Sequence, residues 1–263
     1  MSDAASLPGA LSFVPISGIP EVRPGDDLAQ LFERAVAAMP NPSLQDGDVL
    51  VVAQKIVSKA ENRYVELTEI EPGSEARALA AGCGKDPRLV ELVLRESSEV
   101  LRVAPGVLIV RHRLGFVVAN AAIDQSNLPG HAGERALLLP MNPDASAQGL
   151  RLKLQQRYGV RLAVLVSDSF GRAWRLGVCG TCVGCAGLDP LVDFRGQPDR
   201  SGRSLQVTQL AVADQLCATA TLVGGEAAEG RPMVIVRGVP GEYFADDRGA
   251  ATLVRPLEQD LFR

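Results

Sequence analysis

The chain has 263 residues, of which 46% are hydrophobic, and a formal net charge of -4. This composition supports a substantial buried core and excludes bulk disorder, while the acidic balance argues against nucleic acid as the main partner. No apolar run approaches the ~20 residues that a membrane helix needs. The first five residues lack the basic segment and apolar core of a secretory signal, so a cytoplasmic protein is expected.

The N-terminal elements can be predicted from apolar spacing. Residues 14–20 indicate a short strand and a turn, and Asp26 and Asp27 indicate the cap of a helix that ends before Pro40. Residues 45–48 predict a turn, and residues 49–53 predict a buried strand. The apolar positions of the helix are Leu28, Leu31, Phe32, Val36 and Met39.

The rest of the chain mixes strands and helices without strict alternation. Residues 107–110 and 116–119 predict a hairpin, and Ser146 is predicted to cap a helix. A strand is predicted to end at Asp168, the longest helix to cover residues 204–223, and another strand to cover 234–236. We therefore predict an α+β fold, or an irregular α/β fold, with a mixed sheet, packed helices and a larger and a smaller lobe.

Three common nucleotide and hydrolase motifs are absent from the sequence. The nearest match to the phosphate loop G-x-x-x-x-G-K-[ST] is Gly84-Lys85, but Leu79 stands at the first glycine and Asp86 at the hydroxyl position. Neither G-x-G-x-x-G at the start of a helix nor G-x-S-x-G occurs. A nucleotide site would therefore be of a non-P-loop type.

Two aspartates are predicted to follow apolar strands, where ligands of α/β sheets usually lie. These are Asp124 and Asp168, and either one alone would more commonly be a turn or cap residue. With Ser169 and Asn127 they form a hard-oxygen set suited to Mg²⁺ or Mn²⁺. Glu226 and Glu229, after a double glycine, either complete this set or belong to a solvated loop.

The basic residues point toward an anionic ligand. Lys59 stands beside Ser58, a pairing suited to phosphate oxygens. For any single arginine a surface ion pair is the more common role, but five of them cluster around two glycine-rich segments. They are Arg172, Arg175, Arg195, Arg200 and Arg203.

Three of the five cysteines form a C-x2-C-x2-C pattern, with Cys83 and Cys217 elsewhere in the chain. This spacing overlaps part of an iron–sulfur ligand run and leaves a metal site open. The alternative is that the thiols are small buried side chains of a glycine-rich segment. The odd number of cysteines does not indicate a disulfide framework. The three are Cys179, Cys182 and Cys185.

Several motifs, in this order, make the chain similar to a known family. They are Ser17-Gly18-Ile19-Pro20, Gly25-Asp26-Asp27-Leu28, Asp46-Gly47-Asp48-Val49-Leu50, Ile56-Val57-Ser58-Lys59-Ala60-Glu61, Arg111-His112-Arg113-Leu114-Gly115-Phe116, Ala119-Asn120-Ala121-Ala122-Ile123-Asp124, Ser167-Asp168-Ser169-Phe170-Gly171-Arg172 and Gly224-Gly225-Glu226-Ala227-Ala228-Glu229-Gly230. Over residues 14–238 the chain resembles the coenzyme F-420:gamma-glutamyl ligase family.

The resemblance implies a GTP site and two divalent cations, Mn²⁺ or Mg²⁺. It assigns catalytic roles to Asp124, Asp168 and Lys59, and metal-ligand roles to Asp124, Asp168, Ser169 and Glu226. Relatives carry threonine at Ser169, and some carry glutamine at Glu226. The positions that it assigns to the nucleotide are Ser17, Gly18, Ile19, Pro20, Lys59, Asn127, Gly224, Gly225, Glu226, Ala227, Ala228, Glu229, Gly230 and Arg231.

The resemblance also implies the reaction and the organisation. GTP would drive the addition of L-glutamate to coenzyme F-420-0 through an acyl phosphate, followed by further gamma-linked glutamates. The ligase domain would cover residues 14–245, after a short extension at 1–13 and without a fused C-terminal reductase domain. A homodimer is expected, although no exposed apolar face stands out. The alternatives are another small carboxylate acceptor, a non-catalytic deazaflavin- or nucleotide-binding protein, and a cysteine-ligated redox protein.

Overall fold

The computed structural model describes residues 9–40, 43–126, 128, 134–246 and 248–260. Within these ranges there are six α-helices, twelve β-strands and five short 3-10 turns. The helices are α1 (Leu28–Ala37), α2 (Gln54–Ala60), α3 (Ser74–Cys83), α4 (Pro87–Arg95), α5 (Pro143–Tyr158) and α6 (Val212–Gly224). The strands are β1 (Ser12–Ile16), β2 (Asp48–Ala53), β3 (Tyr64–Glu66), β4 (Ser97–Ala104), β5 (Val107–His112), β6 (Val117–Ala119), β7 (Arg135–Leu137), β8 (Leu162–Arg172), β9 (Arg175–Ala186), β10 (Val192–Asp193), β11 (Gln209–Leu210) and β12 (Met233–Arg237).

The largest sheet has five strands in the order β1-β12-β2-β8-β9. Its β2–β8 pair is parallel and its other neighbours are antiparallel, which confirms the predicted α+β fold with a mixed sheet. Both faces are covered by apolar side chains, so β2 reads as a continuous hydrophobic run. Leu50 and Val52 face the cluster that contains α1 and α5, and Val49 and Val51 face the cluster that contains α6.

The chain between β2 and β8 forms a second set of elements. It contains the three-stranded sheet β4-β5-β6, the pair β3–β7 and the helices α3 and α4, whereas α2 and α5 of the same segment pack on the five-stranded sheet. Helices α3 and α4 pack on the three-stranded sheet through a separate apolar cluster that includes Val90, Val93, Leu108 and Val110. The division into a larger and a smaller lobe stays a prediction.

Most of the predicted elements are present, but the cap of α5 was assigned wrongly. Asp27 caps α1 as expected, because its carboxylate accepts a hydrogen bond from the Ala29 N–H at 3.0 Å. The cap of α5 is Asn142 and not Ser146. The Asn142 side chain accepts from the Ala145 N–H at 3.1 Å, and Pro143 occupies the first turn, where its missing N–H costs nothing.

The predicted helix over residues 204–223 is also wrong in length. Helix α6 begins at Val212, so the 16-residue α5 is the longer helix. The preceding residues pair with the segment before them: Gln209 lies opposite Asp193, and the Leu205 N–H donates to the Gln197 carbonyl at 2.8 Å. Their apolar spacing is helical, but long-range backbone pairing takes precedence over it.

An exposed apolar stretch lies along β9, contrary to the expectation that no such face stands out. Trp174, Leu176 and Val178 are 88%, 98% and 55% exposed. Leu176 and Val178 lie near the tip of the β8–β9 hairpin, where the pairing is irregular and Gly177 has a φ of 83°. Strand β9 is an edge strand of the five-stranded sheet. Among the described residues, no helix is long and apolar enough to cross a membrane.

The cysteines are mainly packing residues. Cys83, Cys182, Cys185 and Cys217 are buried, as the second of the two hypotheses expected. The Cys182 thiol donates to the Gly184 carbonyl and the Cys185 thiol to the Leu188 carbonyl, both at 3.3 Å. Hydrogen bonds with the Cys185 and Cys217 thiols, together with burial, raise the pKa of Cys182 and keep it protonated.

Helix α6 approaches β9 at Gly180, where there is no room for a side chain. A Cβ at Gly180 would lie 2.5 Å from the Cys217 carbonyl oxygen and would also meet the Thr221 hydroxyl. We expect Gly180→Ala to reduce the free energy of unfolding by about 1–3 kcal/mol, as measured by urea denaturation. Gly149→Ala is the control, because Gly149 is exposed in α5 with open space around it. It should stabilise by about 0.5–1 kcal/mol. An unchanged Gly180→Ala protein would contradict this packing.

Candidate active site

A pocket of about 760 Å³ opens where β2 and β8 end beside each other. These parallel strands pair Ala53 with Ser167, so the residues that follow them reach the same edge of the sheet. Helix α2 starts at Gln54, directly after β2. The segment after β1, the turn after β6 and the loop after α6 form the other walls. Ligands of α/β sheets bind at such an edge.

Two lysines of α2 face this pocket one helical turn apart. Lys55 Nζ lies 2.6 Å from Asp124 Oδ2 and 3.1 Å from the Ser126 hydroxyl. Lys59 is buried, and its ammonium forms an ion pair with Glu21. The sequence reasoning assigned no role to Lys55 or Glu21. The four-residue spacing of Lys55 from Lys59 was the available signal for Lys55.

A left-handed turn positions Asp124. The prediction that Asp124 ends a strand is wrong, because β6 ends at Ala119 and three residues with positive φ intervene. Asn120, Ala121 and Ala122 have φ of 51°, 54° and 53°, and each costs roughly 1–2 kcal/mol. The Asn120 side chain accepts from the Leu108 N–H at 3.1 Å, and surrounding packing holds the turn.

The backbone and the carboxylate of Asp124 are both fixed. Its N–H and C=O pair with Leu137 at 3.0 and 2.8 Å. Burial acts to raise the pKa of Asp124, but hydrogen bonds from Lys55 and Ser126 outweigh it and hold that pKa below its usual value. Asp124 is therefore a carboxylate at neutral pH, neutralised by the Lys55 ammonium.

Asp168 lies inside a strand, not at its end as predicted, since β8 continues to Arg172. The pairing of β8 with β9 is irregular between Val166 and Ser167, one residue before it. Burial raises the pKa of Asp168 to about 6; the Ser169 N–H and Lys55 lower it, and the charges of Asp124 and Glu226 raise it further. Burial, reinforced by two like-charged neighbours, thus makes the Asp168 carboxyl hold its proton to unusually high pH.

The four predicted metal ligands lie around the same part of the pocket. The Ser169 hydroxyl donates to Glu226, and Asp168 interacts electrostatically with both Asp124 and Glu226. Carboxylate and hydroxyl oxygens suit Mg²⁺ or Mn²⁺. In the described ranges, however, no three histidine, cysteine, aspartate or glutamate side chains are arranged to hold a metal ion. Since Lys55 engages Asp124, a shared cation would require Asp124 to leave Lys55.

Most of the predicted nucleotide-contacting residues reach the pocket wall, but three do not, and a fourth lies outside the described residues. Ser17, Gly18 and Ala228 do not line the pocket, and Asn127 lies outside the described residues. The lining residues among those predicted are Ile19, Pro20, Lys59, Gly224, Gly225, Glu226, Ala227, Glu229, Gly230 and Arg231.

The backbone of the glycine-rich loop after α6 binds a carboxylate of the same loop. Glu229 accepts a hydrogen bond from the Ala227 N–H at 2.8 Å, and its side chain covers Gly225, which has φ of 93°. Hydrogen bonds from the backbone N–H groups of Ala227 and Glu229 lower the pKa of Glu229. The loop N–H groups therefore already hold an anion supplied by the chain.

Two other predictions about anion binding are wrong. The Ser58 hydroxyl is buried, accepts a hydrogen bond from the Gln54 side chain at 3.0 Å, and does not line the pocket. The five clustered arginines do not line the pocket, and Arg195 pairs with Asp193 at 2.5 Å. Although the five arginines are close in sequence, they lie in two separate places, the tip of the β8–β9 hairpin and the loop between β10 and β11.

Two polar atoms in the pocket wall lack a hydrogen-bond partner within the described part of the chain. They are the Ser167 hydroxyl and Arg231 Nε, both buried. Such groups are costly unless a ligand or water satisfies them. The described lining residues carry five carboxylates and three cations, a formal excess of two negative charges. An anionic ligand would therefore need positive charge brought with it.

The raised pKa of Asp168 has a consequence for stability. The usual pKa is 3.8 and the folded value about 6, so ionisation between these values favours the unfolded chain and stability falls as pH rises through this window. In metal-free buffer at pH 7, Asp168→Asn should raise the free energy of unfolding by about 1–3 kcal/mol. The gain should vanish toward pH 4.

Urea denaturation at several pH values, with chelator present, measures this effect. Asp193→Asn is the matched control, because Arg195 lowers the pKa of Asp193 to about 2 and its removal should give no gain at pH 7. An Asp168→Asn protein no more stable than the parent at pH 7 would contradict the electrostatic account of this carboxyl.

Comparison with known proteins agrees with the resemblance seen in the sequence. The model of the F420-0:Gamma-glutamyl ligase family matches residues 18–238. The chain is 46% identical to the coenzyme F420:L-glutamate ligase of Methanothermobacter thermautotrophicus, over 96% of this chain and 99% of that protein. It is 42% identical to the proteins of that name from Methanopyrus kandleri, over 97% and 100%, and Haloarcula marismortui, over 94% of each. The chain therefore belongs to the F420-0:Gamma-glutamyl ligase family.

Proposed function

We propose that this protein is a GTP- and divalent-cation-dependent ligase that joins L-glutamate to the deazaflavin coenzyme F420-0. The observation that carries the proposal is the joint position of Asp124, Asp168 and Glu226 with Lys55 and Lys59 at one edge of the sheet. Family membership supports the ligase activity, and the names of the relatives support glutamate and F420 as substrates.

The charge of the pocket supports a metal–nucleotide complex. A bare triphosphate would meet an excess of carboxylates, whereas carboxylates and phosphates can share Mg²⁺ or Mn²⁺. Asp124, Asp168, Ser169 and Glu226 would hold two such ions, which neutralise the transferring phosphoryl group and align it when bound. A glutamate at position 226 adds charge to this set relative to a glutamine.

The chain contributes its own groups to phosphate binding. Lys59 would supply a buried positive charge to the phosphates, and Lys55 would be available to them once Asp124 takes a cation. The unpartnered Ser167 hydroxyl and Arg231 Nε are further donors in the wall. Because the lysines and the serine belong to α2 and β8, their positions are fixed by the sheet, as catalysis by positioning requires.

The reaction has two balanced steps. The acceptor carboxylate oxygen attacks the γ-phosphorus of GTP, the bond to the β-phosphate oxygen breaks, and GDP and an acyl phosphate form. The amine of L-glutamate then attacks the acyl carbon, phosphate leaves, an amide forms and the amine loses a proton. In a further round, the gamma-carboxylate of the last glutamate would take the γ-phosphoryl group of another GTP, and the amine of a new glutamate would displace phosphate from that acyl phosphate.

Turnover tests the proposal directly. Purified protein with GTP, Mn²⁺, L-glutamate and F420-0 should yield a glutamyl-extended acceptor in the mass spectrum, together with GDP and phosphate. Asp168→Ala should reduce the rate by about 10²–10³-fold, because an uncompensated phosphoryl charge would remain. The Asp193→Asn protein should retain the parent rate, since Asp193 lies outside the pocket.

The negative outcomes are distinct. If F420-0 stayed unextended but GTP was consumed in the presence of another small carboxylate, that carboxylate and not F420-0 would be the acceptor. Nucleotide binding without any turnover would indicate a binding protein. Retention of full activity by Asp168→Ala would contradict its assignment as a metal ligand.

We further propose, from the resemblance, that the protein is a homodimer, and that the exposed edge of β9 takes part in the interface. Leu176 and Val178 form an exposed apolar row on an edge strand, beside Trp174 at the tip, and Val178 also lines the pocket. Such an edge is self-complementary, since two copies can pair across a two-fold axis. Pairing of two copies would also remove the exposed side chains of this row from water.

The oligomeric state can be measured by light scattering after size exclusion. The parent protein should have the mass of a dimer, and Leu176→Ser should shift it toward the monomer. Leu152→Ser, at an exposed position of α5, should leave the dimer intact. A monomeric parent protein would contradict the dimer, and a dimer unaffected by Leu176→Ser would place the interface elsewhere.

A further inference from the structure

Lys59 carries a buried positive charge that needs a counter-ion at all times. Only 5% of its side chain is exposed, and its ammonium contacts the Glu21 carboxylate. An ammonium removed from water without an anion beside it is strongly destabilising. In the described structure Glu21 supplies this anion. It binds the Lys59 ammonium, the same group that contacts a phosphate in the proposed function.

Glu21 differs from the other carboxylates of the pocket in its freedom to leave. Its side chain is 64% exposed, whereas the next residue, Val22, is buried in the main apolar cluster and anchors the backbone. Rotation about side-chain torsions alone can therefore carry the carboxylate into solvent. Glu21 is also not one of the proposed metal ligands, so its substitution leaves that set unchanged.

The rest of the pocket follows the same arrangement. Asp124 forms an ion pair with Lys55, and Glu229 accepts a hydrogen bond from the Ala227 N–H of the glycine-rich loop. The ammonium groups of both lysines and the Ala227 N–H are thus already engaged by carboxylates of the chain. A phosphate bound at any of these three donors would exchange partners with the carboxylate there.

We propose that Glu21 is an internal competitor for the anion position at Lys59, displaced by a phosphate group of the nucleoside triphosphate. This inference rests on the proposed nucleotide site and adds a residue that lowers the affinity of that site. The competition makes nucleotide binding weaker than the contacts of Lys59 alone would give, because the apparent affinity scales with the fraction of protein in which Lys59 is available.

The test is the dissociation constant of guanylyl imidodiphosphate with Mn²⁺, measured by titration calorimetry without acceptor. Glu21→Gln should bind about 1.4- to fivefold more tightly than the parent, the factor that corresponds to about 0.2–1 kcal/mol for a partly exposed ion pair. Glu33→Gln is the matched control, since Glu33 is a half-exposed glutamate paired with Arg157 outside the pocket. It should leave the dissociation constant unchanged.

Two further variants separate direct competition from a general change in charge. Glu21→Asp retains the charge but shortens the side chain, so it should also bind more tightly than the parent if reach to Lys59 matters. In a Lys59→Met background, Glu21→Gln should no longer improve binding. Glu21→Asp also keeps the test open if Glu21→Gln fails to fold.

The outcomes distinguish this inference from the proposed function. A parent protein that does not bind the nucleotide analogue with Mn²⁺ overturns both. A parent protein that binds it, with Glu21→Gln and Glu21→Asp binding equally or more weakly, overturns the competition alone. The Glu21–Lys59 pair would then persist in the complex as a structural link between α2 and the segment after β1.

Discussion

The parallel pairing of β2 with β8 is the constraint on which the rest of the site depends. It places the start of α2, which follows β2, beside Asp168 of β8. Lys55 and Lys59 therefore line the same pocket as the Asp168 carboxyl. More than one hundred residues separate these groups in sequence. The intervening chain forms the three-stranded sheet that delivers Asp124 through its left-handed turn. The ladder between two buried strands therefore fixes a charged site that is itself electrostatically unfavourable.

The charges of that site include several unfavourable interactions, because carboxylates lie close together and outnumber the cations. Burial raises the pKa of Asp168, and the charges of Asp124 and Glu226 raise it further. Lys55 and Lys59 are each neutralised by a carboxylate of the chain. Like charges held together by a rigid sheet are relieved when cations bind. In the proposed function, basic groups held by internal carboxylates would in turn be released when phosphates bind. The same arrangement explains why a cation and a nucleotide would enter together.

The sequence predicted the local elements well where a cap or an apolar run decides them, as at Asp27 and along β2. It failed where long-range pairing decides, as for residues 204–211, whose backbone joins β10. Strand-end positions were assigned to Asp124 and Asp168 from apolar runs alone, whereas a turn with positive φ and the continuation of β8 were not visible in the pattern. Glu21 escaped notice because its role arises only from a contact across the pocket. For Lys55, the helical spacing from Lys59 was a signal that the sequence analysis did not use. Asp168, Ser169 and Glu226 were grouped from their oxygen-bearing side chains and assigned as metal ligands through the resemblance, and the fold brings them together.

The most direct measurement is a crystal structure of the protein with Mn²⁺ and guanylyl imidodiphosphate, in which anomalous scattering locates the metal. The account predicts Mn²⁺ bound by the carboxylates of Asp124 and Asp168, with Lys55 moved from Asp124 and the triphosphate between the metal and Lys59. Manganese located elsewhere, with the Lys55–Asp124 ion pair intact and the pocket without nucleotide, would contradict it.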